Sequence, residues 1–362
     1  MQEQNPPFFP DSAPPDFPPP IPFEPLQLTG SGSVYRFKFY GDANEYFGIW
    51  IVNILLTIVT LSLYAPWAKV RRLRYFYGNS EFIDRKFDFT GVPKKILIGR
   101  LIALGIYAGI SIGAQYSINV SIFGFLILYL AIPWLIWATL RFTARNSKYG
   151  NSRFYFGGTT KDSYIALITG VLIYIFTLGL FTPVLIWLYK RYCINNLYAG
   201  QLKFQLHADW PAYMRAVYIP IFMFLGIILV LVILGFMLAS RPDQALVFFG
   251  IGYAFVLFFI WPLISARIFI TTWNNTTVGN SQFQTDCNQW RYAWIVGSNW
   301  IVKVLSIGLM SAWAAIRLYR YQIESLSLTL FDDPNEMMNQ AQEDHSAIAE
   351  EISDIFDIDV SL

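Results

Sequence analysis

The sequence predicts an all-α polytopic membrane protein, and three observations lead to that prediction. First, 55% of the 362 residues are hydrophobic and only 14% are charged, whereas an ordinary soluble domain is about 25% charged. Second, one helical segment and its flanks recur three times along the chain. Third, seven apolar runs approach or exceed the ~20 residues that cross a hydrocarbon core, namely 46–68, 96–118, 121–140, 164–189, 217–239, 245–264 and 290–318.

The repeat is clearest where an apolar run ends. TLSLYAPWAKVRRLRY (60–75) aligns without gaps with TLGLFTPVLIWLYKRY (177–192) and SIGLMSAWAAIRLYRY (306–321). Apolar and polar residues alternate on both sides of the copies, with aromatic residues prominent before the first two and mostly lost before the third, and this period of two predicts short strands. We therefore predict three units, each a strand, a broken or long helix and a strand, at about 34–91, 150–208 and 279–331. Two transmembrane hairpins, at about 96–140 and 217–264, separate them.

The chain ends differ from this membrane domain of residues 34–331. Residues 1–33 contain ten prolines, four acids and no base, and we expect a solvated, disordered tail rather than a signal peptide. Residues 332–362 carry ten acids and no base, and we expect a second, partly disordered acidic tail. All 26 Lys and Arg residues therefore lie in the membrane domain, which is strongly basic.

The basic residues leave two topologies open, because Lys and Arg favour the cytoplasmic side of short loops. If all seven runs cross, the N-terminus is best placed outside. If each repeated run instead breaks and returns to the side it entered from, only the two hairpins cross, and every base except Arg241 and Lys303 lies in the cytoplasm. Broken backbone at membrane depth must, however, be shielded by protein or water, and the runs are also long enough for a tilted span.

The second topology accounts for the residues at the end of each repeated run. Small residues and prolines mark the expected breaks: Ser62, Pro66, Gly179, Pro183 and Gly308. Tryptophans and arginines anchor helices at the headgroup layer. The expected interfacial residues are Trp67, Arg71, Arg72, Arg74, Arg191, Trp313 and Arg320.

A family resemblance follows from the first unit. The segment YRFKFYGDANEYF (35–47), the run at 60–75 and the strand FDFTG (87–91) resemble the YjgN-like bacterial inner-membrane proteins, a family of unknown function, over roughly residues 34–331. Ser62 stands where that family usually has Gly. The resemblance implies a multi-pass protein of the inner membrane and supplies no activity or ligand.

Polar residues inside apolar runs are the candidate functional site, since such residues usually mark function in membrane proteins. Asn53 and Thr57 align with Asn299 and Lys303, and each pair lies four residues apart on one helix face. A structural role as interhelical hydrogen-bond partners, with Lys303 reaching the surface, stays open. No nucleophile–base pair, metal-ligand spacing or phosphate loop is present in the sequence, so we expect no enzyme, no metal and no cofactor.

Two functions remain open at this level. Repeated units with interrupted apolar segments favour a transporter or channel for a small or lipid-like solute. The sparse polarity of the runs is equally consistent with a scaffold that organises lipid. We expect anionic lipid headgroups as partners of the basic cytoplasmic face, and we do not expect nucleic acid to bind there.

Overall fold

The computed structural model describes residues 32–150, 152–238 and 242–331. The helices are α1 Ala43–Val59, α2 Ala65–Gly78, α3 Pro93–Gly113, α4 Ile118–Arg145, α5 Thr160–Phe176, α6 Thr182–Asn195, α7 Trp210–Leu238, α8 Pro242–Asn274, α9 Gln289–Leu305 and α10 Ser311–Glu324. The strands are β1 Ser33–Arg36, β2 Lys38–Phe39, β3 Ser80–Phe82, β4 Arg85–Phe89, β5 Ser147–Tyr149, β6 Ser152–Phe156, β7 Leu197–Ala199, β8 Leu202–Leu206, β9 Thr276–Val278, β10 Ser281–Thr285 and β11 Leu326–Leu330.

The all-α prediction is wrong, because the eleven strands form one antiparallel sheet. Its order is β1-β11-β10-β9-β8-β7-β6-β5-β4-β3-β2. The two end strands, β1 and β2, are separated in the chain only by Phe37, so the sheet is nearly closed. The sequence predicts the short strands, which could pair on one side of the membrane in the second topology, but it does not predict their order, since the residues that pair across the sheet are far apart in the chain. Ser33, for example, lies opposite Leu330.

The chain repeats five times, rather than three, around this sheet. Every helix pair, from α1/α2 to α9/α10, is followed by a β-hairpin or, at the end, by β11 pairing with β1. In each repeat the backbone N–H just after the longer strand donates to the backbone C=O of the residue that ends the next helix pair. The five bonds are Tyr40→Asn79 (2.9 Å), Thr90→Asn146 (2.8 Å), Gly157→Asn196 (2.8 Å), His207→Asn275 (2.8 Å) and Asp286→Ser325 (3.1 Å).

The ten helices form a closed circuit. Each helix packs on the helix before it and the helix after it, and α10 packs on α1. Within the described residues, four helices are long and apolar enough to cross a membrane: α3, α4, the Trp210–Gly235 part of α7 and the Gly252–Asn274 part of α8. These are the two predicted hairpins, here called the membrane hairpins α3/α4 and α7/α8.

The prediction of seven apolar helical segments is therefore also wrong. The three repeated runs are each two short helices joined by a sharp turn, and both flanking strands of every run belong to the same sheet. We call α1/α2, α5/α6 and α9/α10 the re-entrant pairs. Hydropathy cannot distinguish a continuous span from two short apolar helices, because both bury the same residue types.

Each re-entrant pair turns through two successive residues with positive φ. The second of them is Ser62 (72°), Gly179 (83°) or Gly308 (86°). A hydroxyl residue before the turn bonds the backbone N–H of the residue that precedes the second helix: Thr60 Oγ1 accepts from Tyr64 N (3.0 Å), Thr177 Oγ1 from Phe181 N (3.2 Å) and Ser306 Oγ from Met310 N (3.0 Å). These bonds span the turn and satisfy a backbone donor within it.

The predicted tails lie almost entirely outside the described residues. Residue 32 is the first one described, and β1 already begins at Ser33. Arg241, which was expected in the turn of the second hairpin, also lies outside them, and Pro242 is the first residue of α8.

Candidate functional site

In each re-entrant pair a tyrosine of the second helix is hydrogen-bonded to the start of the first helix, at the end near the sheet. The Tyr75 hydroxyl donates to Asp42 O and accepts from Asp42 N, both at 2.9 Å. Tyr192 Oη donates to Thr159 O at 3.0 Å, and Tyr321 Oη donates to Asn288 O at 3.2 Å. Asp42, Thr159 and Asn288 are the N-caps of α1, α5 and α9. The repeated Arg-Tyr dipeptide therefore supplies a bond between the last turn of the second helix and the start of the first.

The best-defined polar cluster lies in the third re-entrant pair. Asn299 is 3% exposed, and its Nδ2 donates to Ala314 O at 3.0 Å. The guanidinium of Arg317 donates to Asn299 Oδ1 at 3.3 Å and to Ser298 Oγ at 2.7 Å. Arg317 also lies 5.1 Å from the ring centre of Trp313. This cluster is hydrogen-bonded within the protein and pins α9 to α10.

The first re-entrant pair has asparagine, tryptophan and arginine at the aligned positions, but these side chains are arranged differently. Asn53 is 7% exposed, and its Oδ1 has no hydrogen-bond partner among the described residues. Arg71, which aligns with Arg317, instead lies over the ring of Tyr64 at 5.7 Å. The second pair has Gly170 at this position, and a Cβ there would lie 2.2 Å from Leu185 Cδ1. Among the described residues of the three pairs, the first pair is therefore the one whose buried asparagine oxygen has no hydrogen-bond partner.

Thr57 and Lys303 lie at aligned positions, one turn beyond the asparagines. Thr57 Oγ1 donates to Asn53 O at 2.6 Å, within its own helix. The backbone C=O of Lys303 accepts from Gly308 N at 2.7 Å and helps to form the turn of the third pair. The structure therefore joins Asn299 to Arg317, and it places Lys303 beside the break.

The expected interfacial residues lie on the second helices of the re-entrant pairs. Arg74 Nε donates to Phe89 O at 3.0 Å, and Arg320 donates to Gly41 O at 2.6 Å, so both tie a helix to the end of a strand. Arg191 lies 5.2 Å from the Trp187 ring. All five of these arginines are solvent-exposed: Arg71, Arg72, Arg74, Arg191 and Arg320. Arg72 lies 5.8 Å from the Phe76 ring, and Trp67 and Trp313 are half-buried.

Sequence reasoning missed two members of the site, Arg317 and Tyr64. The Tyr64 hydroxyl is buried without a hydrogen-bond partner among the described residues. Arg317 stands at the position of Arg71 in the same gap-free alignment that relates Asn53 to Asn299. That shared spacing of asparagine and arginine was the available signal.

The two cysteines are free thiols and show no sign of reactivity. Cys287 lies just before α9, and burial raises the pKa of its thiol to about 11, which leaves little thiolate at neutral pH. On the sheet, burial also raises the pKa of Tyr149, whose hydroxyl donates to Phe82 O at 2.7 Å. In the described part of the chain, no three His, Cys, Asp or Glu side chains cluster as metal ligands would.

Comparison with known proteins places this architecture in a family. The family described as "Bacterial protein of unknown function (DUF898)" matches residues 34–355. The inner membrane protein YjgN of Escherichia coli K12 is 30% identical over 130 residues, which are 35% of this chain and 32% of that protein. YjgN of Salmonella typhimurium LT2 is 39% identical over 69 residues, 19% of this chain and 18% of that protein. The aligned stretches thus span a third or less of these relatives, and no solved structure matches the chain.

Proposed function

Because this chain belongs to the YjgN-like family of bacterial inner-membrane proteins, and is itself a multi-pass inner-membrane protein, we propose that it is a transporter or channel for a small or lipid-like solute, without enzymatic activity. The observation that carries the proposal is the alternation of three re-entrant pairs with two membrane hairpins in one closed circuit. Interrupted apolar segments in corresponding repeats are the usual position of a translocation site.

The tips of the re-entrant pairs support an apolar pathway. The residues Leu61, Leu178 and Ile307 are 89%, 92% and 94% exposed. The backbone of each tip is bonded locally, for example by Ser62 N donating to Thr57 O at 2.7 Å. Backbone satisfied in this way tolerates contact with lipid or with an apolar solute, and this favours a lipid-like solute over an ion.

The orientation follows from the basic residues near the sheet. Arg36, Lys86, Arg153 and Lys203 are exposed on the strands, and basic residues accumulate on the cytoplasmic side. The proposed arrangement has the sheet in the cytoplasm. The exposed Arg71, Arg72 and Arg191 then lie near the inner leaflet, where each cation contributes roughly 1 kcal/mol to attraction of anionic lipid.

Cysteine labelling tests the proposal. In a chain with Cys193 and Cys287 replaced by alanine, single cysteines are introduced at Asn53, Leu178 and Lys303, and their reaction with a water-soluble maleimide is measured in inside-out vesicles and in spheroplasts. Labelling at two or more of these positions supports a pathway. A cysteine at Lys148, on the sheet, is the control for reactivity and for sidedness, since the proposal requires it to react only in inside-out vesicles.

One observation favours a non-transporting scaffold that organises lipid. Only 11% of the residues in the apolar windows of α3, α4 and α7 are buried within the chain, so these helices offer most of their surface to lipid or to other membrane proteins. Absence of labelling at Asn53, Leu178 and Lys303, together with a reactive Lys148 position, would favour this scaffold.

A further inference from the structure

Five phenylalanines occupy equivalent positions in the five repeats. Four lie at the middle of β4, β6, β8 and β10, and Phe37 lies between β1 and β2. The residue before each one faces the outer side of the sheet and is Arg36, Lys86, Arg153, Lys203 or Gln282. Because side chains alternate across a strand, the phenylalanines share the inner face of the sheet. We call them the five-phenylalanine layer: Phe37, Phe87, Phe154, Phe204 and Phe283.

The five-phenylalanine layer forms an unbroken ring. Its neighbouring ring centres are 6.0–6.5 Å apart all the way round, namely Phe37–Phe87 6.4 Å, Phe87–Phe154 6.5 Å, Phe154–Phe204 6.4 Å, Phe204–Phe283 6.0 Å and Phe283–Phe37 6.2 Å. In a regular pentagon with these sides every ring centre lies about 5 Å from a common axis, so the rings leave at most a narrow constriction between them.

The inside of the sheet next to this layer is apolar as well. Phe82 stacks on Phe37 with ring centres 4.3 Å apart, and Tyr149, Val278 and Leu328 are buried in the same cluster. The tyrosine hydroxyl is bonded to a backbone carbonyl. Any opening through this apolar cluster would not hold water, and a dewetted constriction blocks ions and polar solutes.

The circuit of helices stands on this sheet, so the layer closes one end of any space that the circuit encloses. In four of the five repeats the residue two positions later packs against helix residues instead. These residues are Phe39, Phe89, Phe156 and Leu206. The five-phenylalanine layer therefore marks a boundary on the inner face of the sheet. On one side of it the residues pack against the helices, and on the other side they pack against one another.

We propose that the five-phenylalanine layer is a hydrophobic gate that seals the cytoplasmic end of the pathway against water and ions. This proposal rests on the proposed transport function. A packed sheet core is the competing explanation, and the two differ in what a polar substitution does. A polar side chain in the layer admits water to a gate and raises flux, whereas in a simple core it lowers stability without opening a path.

The test uses the full-length protein in liposomes loaded with potassium chloride and a small anionic dye. Phe154→Ser is compared with Tyr155→Ser, its neighbour on β6, whose ring is 51% exposed on the outer face. We expect Phe154→Ser to raise efflux about tenfold or more over wild type, while Tyr155→Ser leaves it unchanged. Equal efflux from wild type and folded Phe154→Ser overturns the gate.

Phe154→Leu covers the case in which the serine variant does not fold. Leucine is smaller than phenylalanine but apolar, and we expect efflux raised about threefold; no increase would again overturn the gate. The maleimide labelling of Asn53, Leu178 and Lys303 separates the two proposals. If the three positions are labelled but the variants in the layer do not leak, the gate alone is rejected. If the positions are not labelled and the variants do not leak, both the pathway and its gate are rejected.

Discussion

The re-entrant pairs and the membrane hairpins occupy equivalent places in the circuit but are held by different forces. Both kinds of pair carry a buried proline in the second helix at the same distance from its C-terminal end. These prolines are Pro66, Pro133, Pro183 and Pro262, and Ala312 takes the position in the last pair. The first helices of the re-entrant pairs have 17 residues, about 26 Å, and begin at side-chain caps. In the membrane hairpin α3/α4, helices of 21 and 28 residues begin without such a cap.

This difference shows what each kind of pair requires. A helix that spans the bilayer is held there by about 20 apolar residues in hydrocarbon. A shorter pair that reverses direction must fix its own ends, and the tyrosine bond, the hydroxyl bond across the turn and the paired positive-φ residues provide this. The stability of the re-entrant pairs should therefore respond to single changes at these bonds and turns, for which the membrane hairpin α3/α4 has no side-chain cap.

The largest expected effect is steric. A Cβ at Gly170 in α5 would lie 2.2 Å from Leu185 Cδ1, whereas one at Gly105 in α3 meets nothing within 4 Å. We expect Gly170→Ala to lower the free energy of unfolding by about 3 kcal/mol and Gly105→Ala to leave it unchanged or slightly higher. Unfolding in mixed micelles measures both, and equal effects would contradict the close contact of α5 with Leu185 at Gly170.

The second effect concerns the two asparagines. Asn299→Leu removes two hydrogen bonds, from Asn299 to the Ala314 carbonyl and from Arg317 to Asn299, so we expect a loss of about 2 kcal/mol. Asn53→Leu removes an acceptor that has no partner among the described residues, and its cost should be less than half as large. The same unfolding measurement compares the two, and a larger loss at Asn53 would contradict the described bonding.

The third effect comes from the backbone of the breaks. Ser62 has a φ of 72°, a conformation that glycine adopts without steric cost. We expect Ser62→Gly to stabilise the protein by about 1 kcal/mol and Gly308→Ala, at φ 86°, to destabilise it by about 1 kcal/mol. Gly308 has open space around it, so a loss there reports the backbone alone. A gain on Gly308→Ala would contradict a left-handed turn.

The smallest effect depends on pH. The backbone N–H groups of Glu45 and Asn44 donate to the Asp42 carboxylate and hold its pKa below the ordinary value of 3.8. Asp42 therefore stabilises α1 above about pH 4, and this contribution is lost as the pH falls through the lowered pKa. We expect Asp42→Asn to flatten the change in melting temperature below about pH 4, and Asn288→Asp, at the corresponding cap of α9, to steepen it. An unchanged profile in both variants would exclude a role for the caps.

Much of the site was predictable from particular residues. The gap-free alignment of residues 60–75, 177–192 and 306–321 located the breaks near Ser62, Gly179 and Gly308, because a repeated sequence requires a repeated backbone. It also paired Asn53 with Asn299. It did not reveal that Arg317 bonds its asparagine while Arg71 turns to Tyr64, since aligned residues of one type can adopt different rotamers in different surroundings.

The sequence by itself determined the membrane class, the repeat and the polar residues within it, because hydrophobicity and local periodicity are properties of neighbouring residues. Only the tertiary structure decided that the three repeats and two hairpins are five equivalent units around one sheet. It also brought Phe37, Phe87, Phe154, Phe204 and Phe283 into a single ring. Strand pairing and ring closure join residues up to nearly 300 positions apart, and no local pattern encodes such contacts.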